Sequence, residues 1–120
     1  MEMRRVIGAF KPQAVVIDPV SNLTSVGNQF DITSMLTRLV DHLKVEKITS
    51  VFTSLISDVS ESAAGVGVSS LMDTWITLQD IVTNGEKRRG ISIIKSRGMG
   101  HSSQVREFKL TNKGIVITEL

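Results

Sequence analysis

Ala14-Val15-Val16-Ile17-Asp18, the set Ile32, Met35, Leu36, Leu39, Val40 and Leu43, and the run from Thr49 to Ile56 are the three segments on which the fold turns. The first is a short, unbroken apolar run closed by an acid. It predicts a strand buried on both faces, the kind found in parallel sheets with helices on each side. The second set recurs at i, i+3, i+4, i+7, i+8 and i+11, which is one apolar stripe of an α-helix. Asn28 or Asp31 suits its start, and Arg38, His42, Lys44 and Lys47 suit its C-terminal end. The third segment reads as another compact strand. Strand, helix and strand in succession predict a βαβ unit.

Outward from that unit the pattern changes. Residues 4–10 read as the end of a helix, stopped by Pro12, which removes a backbone donor and restricts Lys11. Residues 19–28 and 57–70 are loops rich in Ser, Asn and Gly, and residues 71–73 form a short turn. Trp75–Val82 and Ile91–Lys95 are β-rich and are joined by Asn84-Gly85 and a charged stretch, Glu86 to Arg89. Asn-Gly is a strong hairpin signal. Val105–Leu110 and Ile115–Thr118 flank a second hairpin at residues 111–114. The fold class is therefore α/β, a βαβ unit followed by antiparallel β-hairpins.

Composition supports a folded chain. Its 120 residues suit one domain, with 41% hydrophobic and 22% charged residues. Val, Ile and Thr supply 36 of the 120, which favours sheet. Aromatic residues are scarce, so the core is expected to be aliphatic and base-stacking platforms poor. No apolar run approaches the roughly 20 residues that cross a bilayer. No apolar signal region follows Met1-Glu2-Met3-Arg4-Arg5, so the expected compartment is the cytoplasm. The absence of Cys excludes disulfides, thiolate metal sites and a Cys nucleophile. Charge is uneven. Residues 1–84 carry six basic and nine acidic side chains, residues 85–120 eight basic and three acidic. A basic final third suits an anionic partner, although solvated hairpins would show the same excess.

Three groups of residues carry chemistry. Asp18 closes an apolar strand, where open α/β sheets place a carboxylate near a ligand; it can hold Mg²⁺ there directly or through water. The plainer reading is a turn-forming acid. Ser69-Ser70 offers adjacent hydroxyls after a Gly-rich stretch, suited to accept phosphate or simply to cap a turn. Lys95 and Arg97 stand two apart, on one face of a strand, and Gly98 and Gly100 permit close backbone approach. A point charge beside a planar fork suits a polyphosphate, although a basic edge also discourages aggregation. His101 comes next, with no partner at metal-ligand spacing. There is no G-x-x-x-x-G-K-[ST] phosphate loop, and no self-contained catalytic set stands out.

Four stretches in order cover nearly the whole chain. They are Phe10-Lys11-Pro12 through Val15-Val16-Ile17-Asp18-Pro19-Val20-Ser21-Asn22-Leu23, Val68-Ser69-Ser70-Leu71-Met72-Asp73-Thr74, Gly85-Glu86-Lys87-Arg88-Arg89-Gly90, and Ile94-Lys95-Ser96-Arg97-Gly98-Met99-Gly100-His101 with Val105-Arg106-Glu107-Phe108. Together they resemble the KaiC-like branch of RecA-type ATPases. The resemblance implies a partial RecA-like P-loop NTPase core: residues 1–120 as the C-terminal half of one ATPase domain from the Walker B strand onward, the Walker A half and the catalytic Glu pair lying upstream of Met1. It implies ATP and Mg as cofactors. Asp18 is then the Walker B acid, a catalytic and metal-organising residue. Lys95 and Arg97 match cations that reach across to a neighbouring subunit's ATP, with His101 near the nucleotide. Ser69 and Ser70 match the hydroxyl pair on which KaiC phosphorylates itself, a serine/threonine autokinase activity. This chain has Ser-Ser where clock proteins commonly have Ser-Thr, and Met99-Gly100 where they have an aromatic before the His. The implied parent is a hexameric homo-oligomer and circadian clock protein, with a KaiB-like partner.

On this reading the chain alone is expected not to hydrolyse ATP, and it is expected to self-associate through an exposed sheet edge and apolar patch. An alternative is a non-catalytic oligomerisation or regulatory module acting on a full-length relative. A third reading, nucleic-acid binding through Lys87, Arg88 and Arg89, is disfavoured by few aromatics and a net charge of only +2.

Overall fold

The computed structural model describes residues 2–20, 29–55 and 70–119. The chain divides into two compact units, Met1–Leu71 and Met72–Leu120. The first contains helix α1 (Glu2–Phe10), strand β1 (Ala14–Ile17), helix α2 (Gln29–Val45) and strand β2 (Thr49–Phe52). β1 and β2 pair in parallel, with Ala14 opposite Thr49 and Ile17 opposite Phe52. The βαβ unit is thus present, and the acid-closed strand and the helical stripe fall where their periodicities place them.

Helix α2 directs its stripe inward. Leu39 and Leu43 are fully buried, and Leu36 and Val40 nearly so. Leu39, Leu43 and Ile7 of α1 form one core cluster with Met3, Val15, Ile17, Ile48 and Phe52 around it. Leu36 and Val20 form another with Ile17, Phe52 and Leu71. Both helices therefore cover the Val15 and Ile17 side of the sheet. The expectation of a strand buried on both faces is corrected: Val16 is 66% exposed and Val51 52%. Among the described residues no helix lies on their side, so the unbroken apolar run leaves one face open.

The ends of both helices are set by local chemistry. At the end of α2 the Ile48 N–H donates to the Leu43 carbonyl (2.8 Å) and the Lys47 N–H to the Lys44 carbonyl (3.1 Å). Lys47 has a left-handed φ of 56°, and Ile48 and Leu43 share the core cluster. This is the full Schellman arrangement with Lys at the position usually held by Gly. At α1, Lys11 (φ 54°) donates to the Ile7 carbonyl at 2.8 Å, and Pro12 prevents continuation. Helix α2 starts at Gln29, so Asp31 lies inside the first turn and is not its cap; Asn28 lies outside the described residues. β2 ends at Phe52, short of the expected Ile56, which also lies outside them.

The second unit is a four-stranded antiparallel meander, β3 (Thr74–Thr83), β4 (Glu86–Ser96), β5 (Arg106–Thr111) and β6 (Gly114–Glu119), in that spatial order. Asn84 and Gly85 both have positive φ (52° and 77°), as a two-residue hairpin turn requires. The charged stretch Glu86–Arg89 is not a connection: it forms the start of β4, paired with residues 80–83 of β3. Ile81 and Val105 close over Gly90, where a Cβ would lie 2.5 Å from Ile81 Cδ1 and 3.0 Å from Val105 Cγ1. The opposite side carries Ile76, Leu78, Leu110, Ile115 and Ile117, all exposed.

Candidate functional site

In the first unit, Asp18 adjoins the last residue of β1, at the carboxyl end of the parallel pair. The Thr53 N–H donates to the Ile17 carbonyl (3.0 Å) and the Val20 N–H to the Thr53 carbonyl (2.7 Å). These bonds draw the two strand ends together. The Thr53 hydroxyl then donates to Asp18 Oδ1. The Asp18-Pro19 peptide is cis, and Asp18 remains exposed. The result is a solvent-facing carboxylate, oriented by a neighbouring hydroxyl, where open α/β sheets bind ligands. Among the described residues no cluster of three or more His, Asp or Glu side chains forms a metal cage. The donor set at Asp18 is hard oxygen. Mg²⁺ commonly uses one or two carboxylates and completes its shell with water and substrate phosphates, and Asp18 fits that use.

In the second unit, β4 ends at Ser96. Lys95 sits opposite Trp75, but Ile93 sits opposite Ile76, so Ile94 is an extra residue in β4. Such a bulge re-aims the side chains beyond it. Pairing with Trp75 places Lys95 on the side of the sheet away from Ile93 and Ile76. Arg97 lies past the strand end, in a turn with Gly98 at φ 75°. The simple i, i+2 strand relation between Lys95 and Arg97 is therefore corrected: a turn, not the pleat, sets the direction of Arg97.

Asp73 anchors that turn. The Arg97 N–H donates to the Asp73 carbonyl at 2.8 Å, and the Arg97 guanidinium lies 3.7 Å from the Asp73 carboxylate. Thr74 and Ser96 hydroxyls meet at 3.2 Å beside them. His101 is exposed, and its Nδ1 lies 2.9 Å from the Ser102 carbonyl. A carbonyl only accepts, so Nδ1 is the donor in that contact. Ser70 is exposed in a short helical end with Leu71, and Ser69 lies outside the described residues.

Thr53 lies in none of the quoted stretches, and Asp73 lies in the second of them without a role that the sequence assigns. Their signal is strand register. Pairing Ile17 with Phe52 places residue 53 beside residue 18, and pairing Thr74 with Ser96 places residue 73 beside residue 97.

With this geometry in place, comparison with known proteins is decisive. The family model of the KaiC ATPase matches residues 1–120. The chain belongs to the KaiC ATPase family. The circadian clock protein KaiC2 of Synechocystis sp. is 49% identical over 113 residues, covering 92% of this chain and 20% of that protein. KaiC3 of the same organism is 31% identical over 117 residues, 96% of this chain and 23% of that protein. The circadian clock oscillator protein KaiC of Synechococcus elongatus is 31% identical over 110 residues, 90% of this chain and 21% of that protein. The chain thus spans about a fifth of the length of these curated relatives. Among the described residues no helix is long and apolar enough to cross a membrane.

Proposed function

We propose that this KaiC-family chain supplies part of an ATP-binding and hydrolysing site built on a RecA-like core, residues 1–120 forming the segment of one ATPase domain from the Walker B strand onward. The observation that carries the reading is Asp18 at the carboxyl end of β1, with its carboxylate oriented by Thr53. Asp18 is the Walker B acid and holds Mg²⁺, directly or through a water. When bound, Mg²⁺ neutralises charge on the β- and γ-phosphates. Lys95 and Arg97 act in trans on the nucleotide of a neighbouring subunit in a homo-oligomeric ring, which we take to be a hexamer. Phosphoryl transfer rewards positioning and charge stabilisation more than covalent help, and a cation pair fixed at a strand end meets that need. The Asp73 contact holds Arg97 in place, and His101 lies near the nucleotide. Ser69 and Ser70 are the proposed phosphoryl acceptors.

The open Val16 and Val51 face supports self-association of the chain as well. The compartment proposed is the cytoplasm, and a KaiB-like protein is the proposed partner of the ring.

A chimaera tests the reading. This chain replaces the matching segment of Synechocystis KaiC2, and ATP hydrolysis and phosphopeptides spanning Ser69-Ser70 are measured. Arg97→Ala should lower turnover by about 10²–10³-fold, the usual loss of a transition-state donor. Asp18→Asn should lower it at least as far. Mixed rings of the two variants should regain part of the activity, because a site is intact wherever a subunit with Asp18 meets a neighbour with Arg97, which in an equal random mixture is about a quarter of the sites. Recovery of no activity on mixing would refute the trans assignment. In the isolated chain, Mg-ATP should give no calorimetric binding; micromolar binding lost in Lys95→Ala would overturn the shared-site reading.

A further inference from the structure

The two faces of the β3–β6 meander differ, and the apolar one is the open one. Strand alternation puts Ile76, Leu78, Val82, Leu110, Ile115 and Ile117 on one face. Each of the six is more than half exposed. A half-covered antiparallel sheet turns its apolar side inward, so this face lacks its cover. At roughly 100 Å² apiece, the six residues expose on the order of 600 Å², the upper end for the largest patch on a typical monomer. With the half-buried Ile91, Ile93 and Phe108 between them, the face nears the roughly 800 Å² per partner of a standard interface.

Register divides this face into quarters. In one, Ile76 lies opposite Ile93 and Leu78 opposite Ile91. In another, Phe108 lies opposite Ile117 and Leu110 opposite Ile115. The third holds Asp80 opposite Arg89 and Val82 opposite Lys87, and the fourth Arg106 opposite Glu119. The Ile91–Arg106 pair fixes one hairpin against the other. The two apolar quarters therefore lie on one diagonal and the two charged quarters on the other. Lys87 meets Asp80 at 2.8 Å and Arg106 meets Glu119 at 3.9 Å, whereas Arg89 makes no ion pair among the described residues.

This layout selects a partner. Pressed against a second copy, the face could use a two-fold axis along the strands or across them, but either lays apolar quarters on charged ones. An axis along the charged diagonal brings Lys87 and Arg89 onto their own copies. An axis along the apolar diagonal lets each apolar quarter meet itself and exchanges the charged quarters, so that Arg89 approaches the partner's Glu119. With about 4.8 Å between strands and about 3.4 Å per residue, that diagonal lies roughly 35° from the strands. The strands of the two sheets then cross at roughly 70°, toward the orthogonal class of sheet packing.

We propose that this face is a docking surface for a second copy of the chain, packed sheet on sheet about the apolar diagonal, with Arg89 paired to the partner's Glu119. The contact is isologous, so both Arg89–Glu119 pairs form at once. It uses none of Asp18, Lys95 or Arg97, and its failure leaves the shared nucleotide site untouched.

Sedimentation equilibrium of the 120-residue chain tests it, in a Val16→Lys/Val51→Glu background that removes the open face of the first unit. That background should dimerise. Ile117→Lys should weaken the dimer at least about tenfold, because it buries an unpaired charge. Arg89→Glu and Glu119→Arg should each do the same, because each sets like charges together at both ends of the contact. Mixed in equal amounts, these two charge variants should associate to within about threefold of the parent, since every 89–119 contact in the heterodimer joins opposite charges. Trp75 fluorescence, which reports the meander, should match the parent in each variant. A background that stays monomeric at about 100 µM would overturn the proposal. So would a dimer indifferent to Ile117→Lys. Failure of the two folded charge variants to associate on mixing would overturn it as well.

Discussion

Lys47→Gly should stabilise the first unit, and the size of the gain comes from one dihedral. Lys47 holds φ at 56° to complete the C-terminal turn of α2. An L side chain there costs about 1–2 kcal/mol relative to glycine. Glycine returns about 0.5–1 kcal/mol of that through its greater freedom in the unfolded chain. The expected net gain is about 0.5–1 kcal/mol. For a unit of this size, 1 kcal/mol moves the midpoint by about 4–8 °C, so a rise of about 2–8 °C is expected. The helices α1 and α2 both lie in the first unit, so thermal unfolding followed by helical circular dichroism reads the right part of the chain. Lys47→Ala is the control: alanine bears the same left-handed cost and should stay within about 0.5 kcal/mol of the parent. Equal stability of the Gly and Ala variants would refute the reasoning. The consequence reaches the site, because this turn delivers β2 to its register and hence Thr53 to Asp18.

Leu39→Ala, at a fully buried position between the helices and the sheet, should cost about 3–5 kcal/mol in urea unfolding, with loss of the cooperative helical transition. Gly90→Val should cost about 1–3 kcal/mol in the second unit, because its side chain would collide with Ile81 and Val105; unfolding followed by Trp75 fluorescence reports it. His42 Nε2 is buried without a hydrogen-bond partner in this structure, so His42→Leu should be neutral or stabilising by about 1 kcal/mol, and a loss of stability would reveal a bond the structure does not contain. Asp73→Asn removes one exposed ion-pair partner at 3.7 Å, so stability should change by less than about 1 kcal/mol. In the chimaera the same variant should lower turnover less than Arg97→Ala does, with Asp73→Glu restoring part of it, as expected of a positioning residue.

The elements written in local pattern were legible in the chain. The α2 stripe, the Asn84-Gly85 turn and the acid closing β1 each depend on neighbours within a few residues, and helical period, positive φ and strand polarity are local properties. The ordered motifs likewise pointed to the KaiC family, and that membership is confirmed. Features resting on register were not legible. Thr53 meets Asp18 across 35 residues, and Asp73 meets Arg97 across 24, through pairings that no local signal specifies. The same holds for the bulge at Ile94, which turns Lys95 to the Trp75 side. The unbroken run Val15-Val16-Ile17 looked buried on both faces because hydrophobicity records a residue's preference for an apolar neighbour. Whether that neighbour is present depends on where the helices pack, and here α1 and α2 share one side of the sheet. Periodicity acts over a few residues and is read directly from sequence. Register and the choice of covered face arise from contacts distant along the chain, and those are settled only when the elements assemble.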